Sequence, residues 1–149
     1  MSNTKIQYRL AQPADLKQLI EIGDELFDYP VREDRAIEFL NDPRHLMMLA
    51  LVSPKVVGMA SGFVYVHPDK EPALFIDEVS VIDAHQRNGI GTELVTRLVE
   101  EAFTTYECRE AWVLTDDANV GAQKAYKRAG GTLHKAGLVM FEYKKKKPI

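Results

Sequence analysis

The stretch Glu78-Val79-Ser80-Val81-Ile82-Asp83-Ala84-His85-Gln86-Arg87-Asn88-Gly89-Ile90-Gly91-Thr92 has the residue types to hold an anion. It reads as a strand, a tight loop and the start of a helix. Two glycines two apart at a helix N-terminus let the backbone approach an anion closely, and unpaired N–H groups with the positive end of the helix dipole attract it. A pyrophosphate fits such a place. The spacing is not that of a dinucleotide loop, which needs G-x-G-x-x-G, nor of a nucleotide P-loop, which needs Gly-Lys followed by Ser or Thr. From these residues alone, an ordinary strand-to-helix turn is an equal reading.

Other reactive side chains offer less. Cys108 stands among Glu107, Arg109 and Glu110 with no histidine nearby in sequence, so it reads as a packed or surface thiol rather than a nucleophile. As the single cysteine it excludes an internal disulfide and suits a reducing cytoplasm. His45, His67, His85 and His134 are scattered without ligand spacing, and no metal is expected. With 19 basic and 22 acidic side chains the net charge is −3, so there is no basic field for a phosphate backbone and nucleic acid is not an expected partner. The one basic run, Lys144 to Lys147, reads as a solvated tail. The N-terminus lacks the apolar stretch of a signal peptide and no run of about 18 apolar residues exists, so neither a membrane partner nor export is expected.

The elements that must position the loop follow from periodicity. A length of 149 residues predicts a single domain over 1–149, with 144–149 as a flexible basic tail. Ile6 to Leu10 alternates as a short strand, and Gln12-Pro13-Ala14-Asp15 opens a helix that Pro30 stops. A second helix runs from about Arg32 to Asn41-Asp42-Pro43. Leu46–Val52 and Val56–Val66, joined by Ser53-Pro54-Lys55, predict an antiparallel hairpin, and Ala73–Ile82 a further strand. A long helix is predicted over about Gly89–Tyr106, with Ile90, Leu94, Val95, Leu98, Val99, Ala102 and Phe103 on one stripe. Glu110–Thr115 reads as a buried strand and Asp116-Asp117-Ala118-Asn119 as the start of a helix that Gly130-Gly131 ends. Two last strands are predicted at Thr132–Lys135 and Leu138–Tyr143. The sum is one α+β domain with a mixed sheet.

Gln86-Arg87-Asn88-Gly89-Ile90-Gly91 resembles the Gln/Arg-x-x-Gly-x-Gly/Ala acetyl-CoA motif of the GNAT superfamily of N-acetyltransferases. Val79-Ser80-Val81 matches the strand before that loop, and Asn119, Ala122, Tyr126 and Gly130 match the helix pattern downstream. The resemblance covers about Ile6 to Tyr143. It implies a three-layer fold with a mixed central sheet of about seven strands flanked by four helices, acetyl-CoA as co-substrate, and no metal. Within the superfamily, Phe75-Ile76-Asp77-Glu78-Val79-Ser80-Val81, Trp112-Val113-Leu114-Thr115 and Val139-Met140-Phe141-Glu142 look like the aminoglycoside 3-N-acetyltransferase branch.

The resemblance also implies roles. The strand ending near Val81 parts from Ala111–Thr115, and backbone groups of Val79 and Val81 hold the pantetheine arm in the gap. The Val79 N–H faces the acetyl carbonyl, where negative charge builds. Gln86, Arg87, Asn88, Gly89, Ile90, Gly91 and Thr92 cradle the diphosphate, with Asn119 and Tyr126 on the far side. An ammonium has no lone pair, so the acceptor must lose a proton: Glu78 is the candidate base, with Asp77 expected on the opposite face of the strand. Tyr126 is the candidate acid for the leaving thiolate. Asp28, Glu78, Asp116, Asp117 and Glu142 are candidates to meet a polycationic small-molecule amine, and association as a homodimer is possible in such domains. An N-acetyltransferase of a protein amine and a non-catalytic CoA-binding module are the alternatives.

Overall fold

Five strands lie side by side in chain order in the computed structural model, which describes residues 5–147: β1 (Gln7–Leu10), β2 (His45–Val52), β3 (Lys55–Tyr65), β4 (Ala73–Val81) and β5 (Glu110–Val113). The expectation of a leaderless N-terminus and the last two residues of the basic tail fall outside the described residues. β1 to β4 pair antiparallel and β5 runs parallel to β4, so the sheet is mixed. β2 and β3 are buried almost end to end. Their near-continuous apolar runs follow from that, because a strand covered on both faces has no solvent side to make polar.

Four helices flank the sheet: α1 (Leu16–Ile22), α2 (Glu33–Asn41), α3 (Ile90–Thr105) and α4 (Val120–Arg128). α3 lays Ile90, Leu94, Val95, Leu98 and Ala102 against β2, β3 and β4. Each such leucine contributes about 1.5–3 kcal/mol by leaving water. Gly58 lets α3 come close, since a Cβ there would stand 3.1 Å from Leu94 Cδ1 and 3.3 Å from Ile90 Cγ2. α1 packs on β3 and α2 on β2. The first helix is shorter than its apolar spacing predicts. It is a 3-10 turn at Pro13–Asp15, then α1, then a second 3-10 turn at Gly23–Glu25, because Gly23 turns to φ 43°. Asp15 is buried and accepts both guanidinium nitrogens of Arg9 at 2.7 Å and the Gln12 N–H at 2.7 Å, which pins β1 to the start of α1.

The sheet has five strands, not about seven: Thr132–Lys135 and Leu138–Tyr143 are not strands. Alternating apolar residues make a segment competent to be a strand, but a strand exists only where another backbone accepts its hydrogen bonds. From Gly131 to Lys147 every residue is exposed, and none pairs with the open edge of β5.

Candidate active site

β4 and β5 are paired only over Ala73–Ile76 and Glu110–Val113. Beyond Ile76 the two strands part, and the reason lies in β4. Ile76 pairs with Gly62 and Glu78 with Ser61, so Asp77 has no partner and forms a bulge. The Ile82 N–H donates to the Val57 carbonyl at 2.9 Å, turning that residue toward β3. By strand alternation the backbone groups of Val79 and Val81 then face the gap, while their side chains pack on the core.

The gap leads to the N-terminus of α3. The first intrahelical bond runs from the Glu93 N–H to the Gly89 carbonyl at 3.1 Å, so the amides of Ile90, Gly91 and Thr92 emerge unpaired at the helix end. Gly89 is left-handed (φ 76°), and so is Arg87 (φ 65°), a conformation a non-glycine residue holds only where its surroundings impose it. A Cβ at Gly89 or Gly91 would meet nothing within 4 Å, so the space before these amides is open. Successive outward amides, the helix dipole and that open space fit a diphosphate. The Gln86 side chain points inward, donating to the Val81 carbonyl at 3.0 Å and to Asp83 Oδ1 at 3.2 Å, and Asn88 Nδ2 donates to the His85 carbonyl at 3.4 Å. These two residues brace the loop and leave its backbone to face the opening.

Glu78 pairs with Ser61, two residues before Phe63 on β3, and therefore shares a face with Phe63 and its partner Phe75. Burial pushes the Glu78 carboxyl above its ordinary range, and the charges of Asp77 and Asp28 push it further. The sequence expectation placed Asp77 on the opposite face. The bulge suspends the alternation on which that rested, and the negative charges of both Asp77 and Asp28 act on Glu78. Tyr126 lies half-buried on α4, its phenol raised by burial, and is held near α3 by the Thr92 hydroxyl, which donates to the Ala125 carbonyl at 3.4 Å. Asn119 caps α4, its Oδ1 accepting the Ala122 N–H at 3.1 Å.

The other candidates are placed apart. Asp116 shapes the turn before α4, where its Oδ1 accepts the Ala118 N–H at 2.9 Å, and the Asp117 carbonyl accepts from Gln123. Glu142 stands on the exposed C-terminal run, paired with Lys144 at 3.3 Å. A small cavity of about 130 Å³, lined by Phe39, His45 and Tyr106 among others, sits at the far end of β2 from the gap and is not part of this site.

The acetyltransferase (GNAT) family model matches residues 15–131. The chain belongs to that family. No curated protein sequence matches it. Among solved structures, an aminoglycoside acetyltransferase from an uncultured soil metagenomic sample superposes with a TM-score of 0.82 at 23% identity, covering 97% of this chain and 99% of that one. The aminoglycoside N-acetyltransferase AAC(6')-Iy in complex with CoA gives 0.75 at 20% identity, covering 96% and 97%. A ribosomal-protein-alanine N-acetyltransferase from Brucella melitensis biovar Abortus 2308 gives 0.72 at 16%, covering 93% and 100%. At these identities the likeness shows the GNAT fold.

GNAT enzymes use acetyl-CoA, and among the described residues no group of His, Cys, Asp and Glu could hold a metal. Among the described residues no helix is long and apolar enough to cross a membrane. In this GNAT chain Cys108 is buried and desolvation raises its thiol, so it offers no thiolate for a covalent acetyl step. Sequence reasoning missed two features. One is the bulge at Asp77, which leaves no signal in the sequence. The other is a row of rings across the sheet, Phe39, His45, Phe63, Phe75 and Trp112, with successive centroids 5.3, 6.2, 5.4 and 4.4 Å apart. Its signal was present as Phe63 and Tyr65 on alternate positions of β3, but the face they share with Phe75 and Trp112 needs the register.

Proposed function

We propose that the chain transfers the acetyl group of acetyl-CoA directly to a primary amine of a small polycationic acceptor, best an aminoglycoside. The observation that carries this reading is Glu78 beside the β4–β5 gap, with the negative charges of Asp77 and Asp28 acting on it. A polycation is drawn to it, and a carboxylate of raised pKa is suited to take a proton from an ammonium near neutral pH. The aminoglycoside acetyltransferases among the structural neighbours, one in complex with sisomicin, support the same class of acceptor. The sequence resemblance points to the 3-N amine, while the neighbours include a 6' enzyme, so the position acetylated is to be read from the product.

When bound, acetyl-CoA supplies its acetyl group as a thioester. The amides of Ile90, Gly91 and Thr92 hold its diphosphate, with the Arg87 and Gly89 backbone shaping the cradle and the Val79 and Val81 backbone groups holding the pantetheine arm. The Val79 N–H donates to the carbonyl oxygen as negative charge builds there. Glu78, directly or through one water, takes the proton as the amine nitrogen forms the new C–N bond. Tyr126, kept protonated by its raised pKa, gives a proton to the sulfur as the C–S bond breaks.

A thiol-release assay over aminoglycosides, polyamines and peptides tests the reading. Glu78→Gln is expected to lower kcat roughly a hundredfold and to remove the acid limb of the rate profile, a limb that in the parent lies above the ordinary glutamate value of about 4.3. Tyr126→Phe is expected to lower kcat about tenfold with the KM for acetyl-CoA little changed. Full turnover by both variants would sink the assigned roles, and the lack of any reaction with polycationic amines would sink the acceptor.

A further inference from the structure

Beyond Glu78 the sheet carries a row of rings to which the acetyl-transfer chemistry gives no role. Phe75 pairs with Phe63 on one side and with Trp112 on the other, and Ala73 pairs in the same way with Tyr65 and Glu110. Side chains alternate along a strand, so Phe63, Tyr65, Phe75, Trp112 and Glu110 stand on one face, the face that Glu78 continues toward the gap. The rings touch one another. Centroids are 4.4 Å apart for Phe75 and Trp112 and 5.4 Å for Phe63 and Phe75, and the Trp112 indole is fixed by donating its Nε1–H to the Tyr65 hydroxyl at 2.6 Å. Phe63 is nevertheless 36% and Trp112 39% exposed. Rings held in place and left open to water make a surface for a ligand rather than a core.

Charge says what lies on it. A carboxylate stands at each end of the row, Glu78 at the gap and Glu110 at the start of β5, and no Lys or Arg occupies the paired positions of this face between them. The stretch of β4 from Ala73 to Glu78 spans about 15 Å at about 3.3 Å per residue, so the row is long enough for several linked rings. Aromatic faces attract ammonium groups, and the apolar C–H face of a saccharide ring gains by leaving water against them. We propose that Phe63, Phe75 and Trp112 form a stacking platform for the part of the acceptor that is not acetylated, and that this platform selects amines carried on saccharide rings over linear polyamines. The inference rests on the acetyl-transfer reading above and gives that site its substrate class. One amine of the acceptor meets Glu78, its rings lie on Phe75 and Trp112, and a distal ammonium reaches Glu110. A linear polyamine brings the charges without the ring faces, and gains only the carboxylates.

The test uses the full-length chain, with kanamycin as the ring-borne amine, spermine as the linear one, and the single tryptophan, Trp112, as reporter. Kanamycin titrated without acetyl-CoA is expected to change Trp112 emission to a saturating value, and spermine to leave it unchanged. Phe75→Leu and Trp112→Leu keep apolar bulk and remove a ring. Each is expected to lower kcat/KM for kanamycin about tenfold, mostly through KM, and to change that for spermine by less than about twofold. Trp112→Phe restores a ring and is expected to recover most of the loss, which a merely structural role for the indole would not give. Equal losses on the two amines, an unchanged KM for kanamycin in both Leu variants, no recovery in Trp112→Phe, or Trp112 emission silent to kanamycin overturns the platform while turnover by the parent keeps the acetyl-transfer reading intact. If the parent turns over neither amine, that reading fails instead, and the Trp112 titration alone supports or overturns the platform.

Discussion

His45–Cys108 and Arg109–Lys147 contribute strands to one sheet but are held in different ways. The first stretch contains most of the core, including Leu49, Met59, Leu74, Ile90, Leu94 and Leu98. The second contains no buried residue. The difference is topological: β2, β3 and β4 are paired on both sides and covered by α3, whereas β5 is an edge and α4 rests mainly against α3. The proposed acetyl-transfer site lies on the seam. Its glycine loop, Val79, Val81 and Glu78 stand on the buried part, and Asn119 and Tyr126 on the other. Electrostatic catalysis needs fixed donors, and the donors proposed here are on the part that is hardest to deform.

The contrast predicts a graded response to substitution. Leu94→Ala empties a fully buried position and is expected to cost about 3 kcal/mol in chemical unfolding, at any protein concentration. A cost below about 1 kcal/mol would mean that the α3–sheet contact is not the main support. Gly62→Ala comes next at about 2 kcal/mol, because its Cβ would press on the Phe75 carbonyl oxygen and stand 3.2 Å from Ile76 Cα, all backbone next to the bulge. It should also raise the KM for acetyl-CoA by disturbing the gap, and an unchanged KM would separate the bulge from the site.

Asp15→Asn is expected to cost somewhat less, about 1.5 kcal/mol at neutral pH, since Arg9 is partly exposed. The Arg9 guanidinium hydrogen bond holds the Asp15 carboxyl below its ordinary range against the desolvation that opposes it. Its contribution is therefore full above the unfolded value of about 3.9 and is lost as pH falls through the lower folded value. Unfolding midpoints across the acid range check this: the parent should lose stability there and the Asn variant should lose less. Smallest of all, Val139→Ala should change the stability of the dilute chain by less than about 0.5 kcal/mol, as an exposed position does. A loss as large as that of Leu94→Ala in the same unfolding measurement would erase the comparison.

Much of the fold was legible in the chain. The apolar runs of β2 and β3, the stripe of α3 from Ile90 to Ala102 and the Asn119 cap of α4 are local patterns whose physical cause is local. The glycine loop was legible too, because Gly89 needs its left-handed turn wherever the rest of the chain lies. Thr132–Lys135 and Leu138–Tyr143 were misread for a related reason. Alternation records what a segment is able to bury, and says nothing of whether its own chain provides the surface. The bulge at Asp77 was not legible, because alternation assumes an unbroken ladder, and one unpaired residue reverses every face beyond it.

The sequence by itself thus determined which segments are strands and helices in the paired part of the sheet, and that the chain turns left-handed at Gly89 before α3. Those follow from periodicity and from the conformational freedom of glycine. Only the tertiary structure decided that β4 bulges at Asp77, that β4 and β5 part after Ile76, and that the charge of Asp28 acts on Glu78. Each depends on register between segments far apart in the chain, and register is set by packing that no single segment encodes.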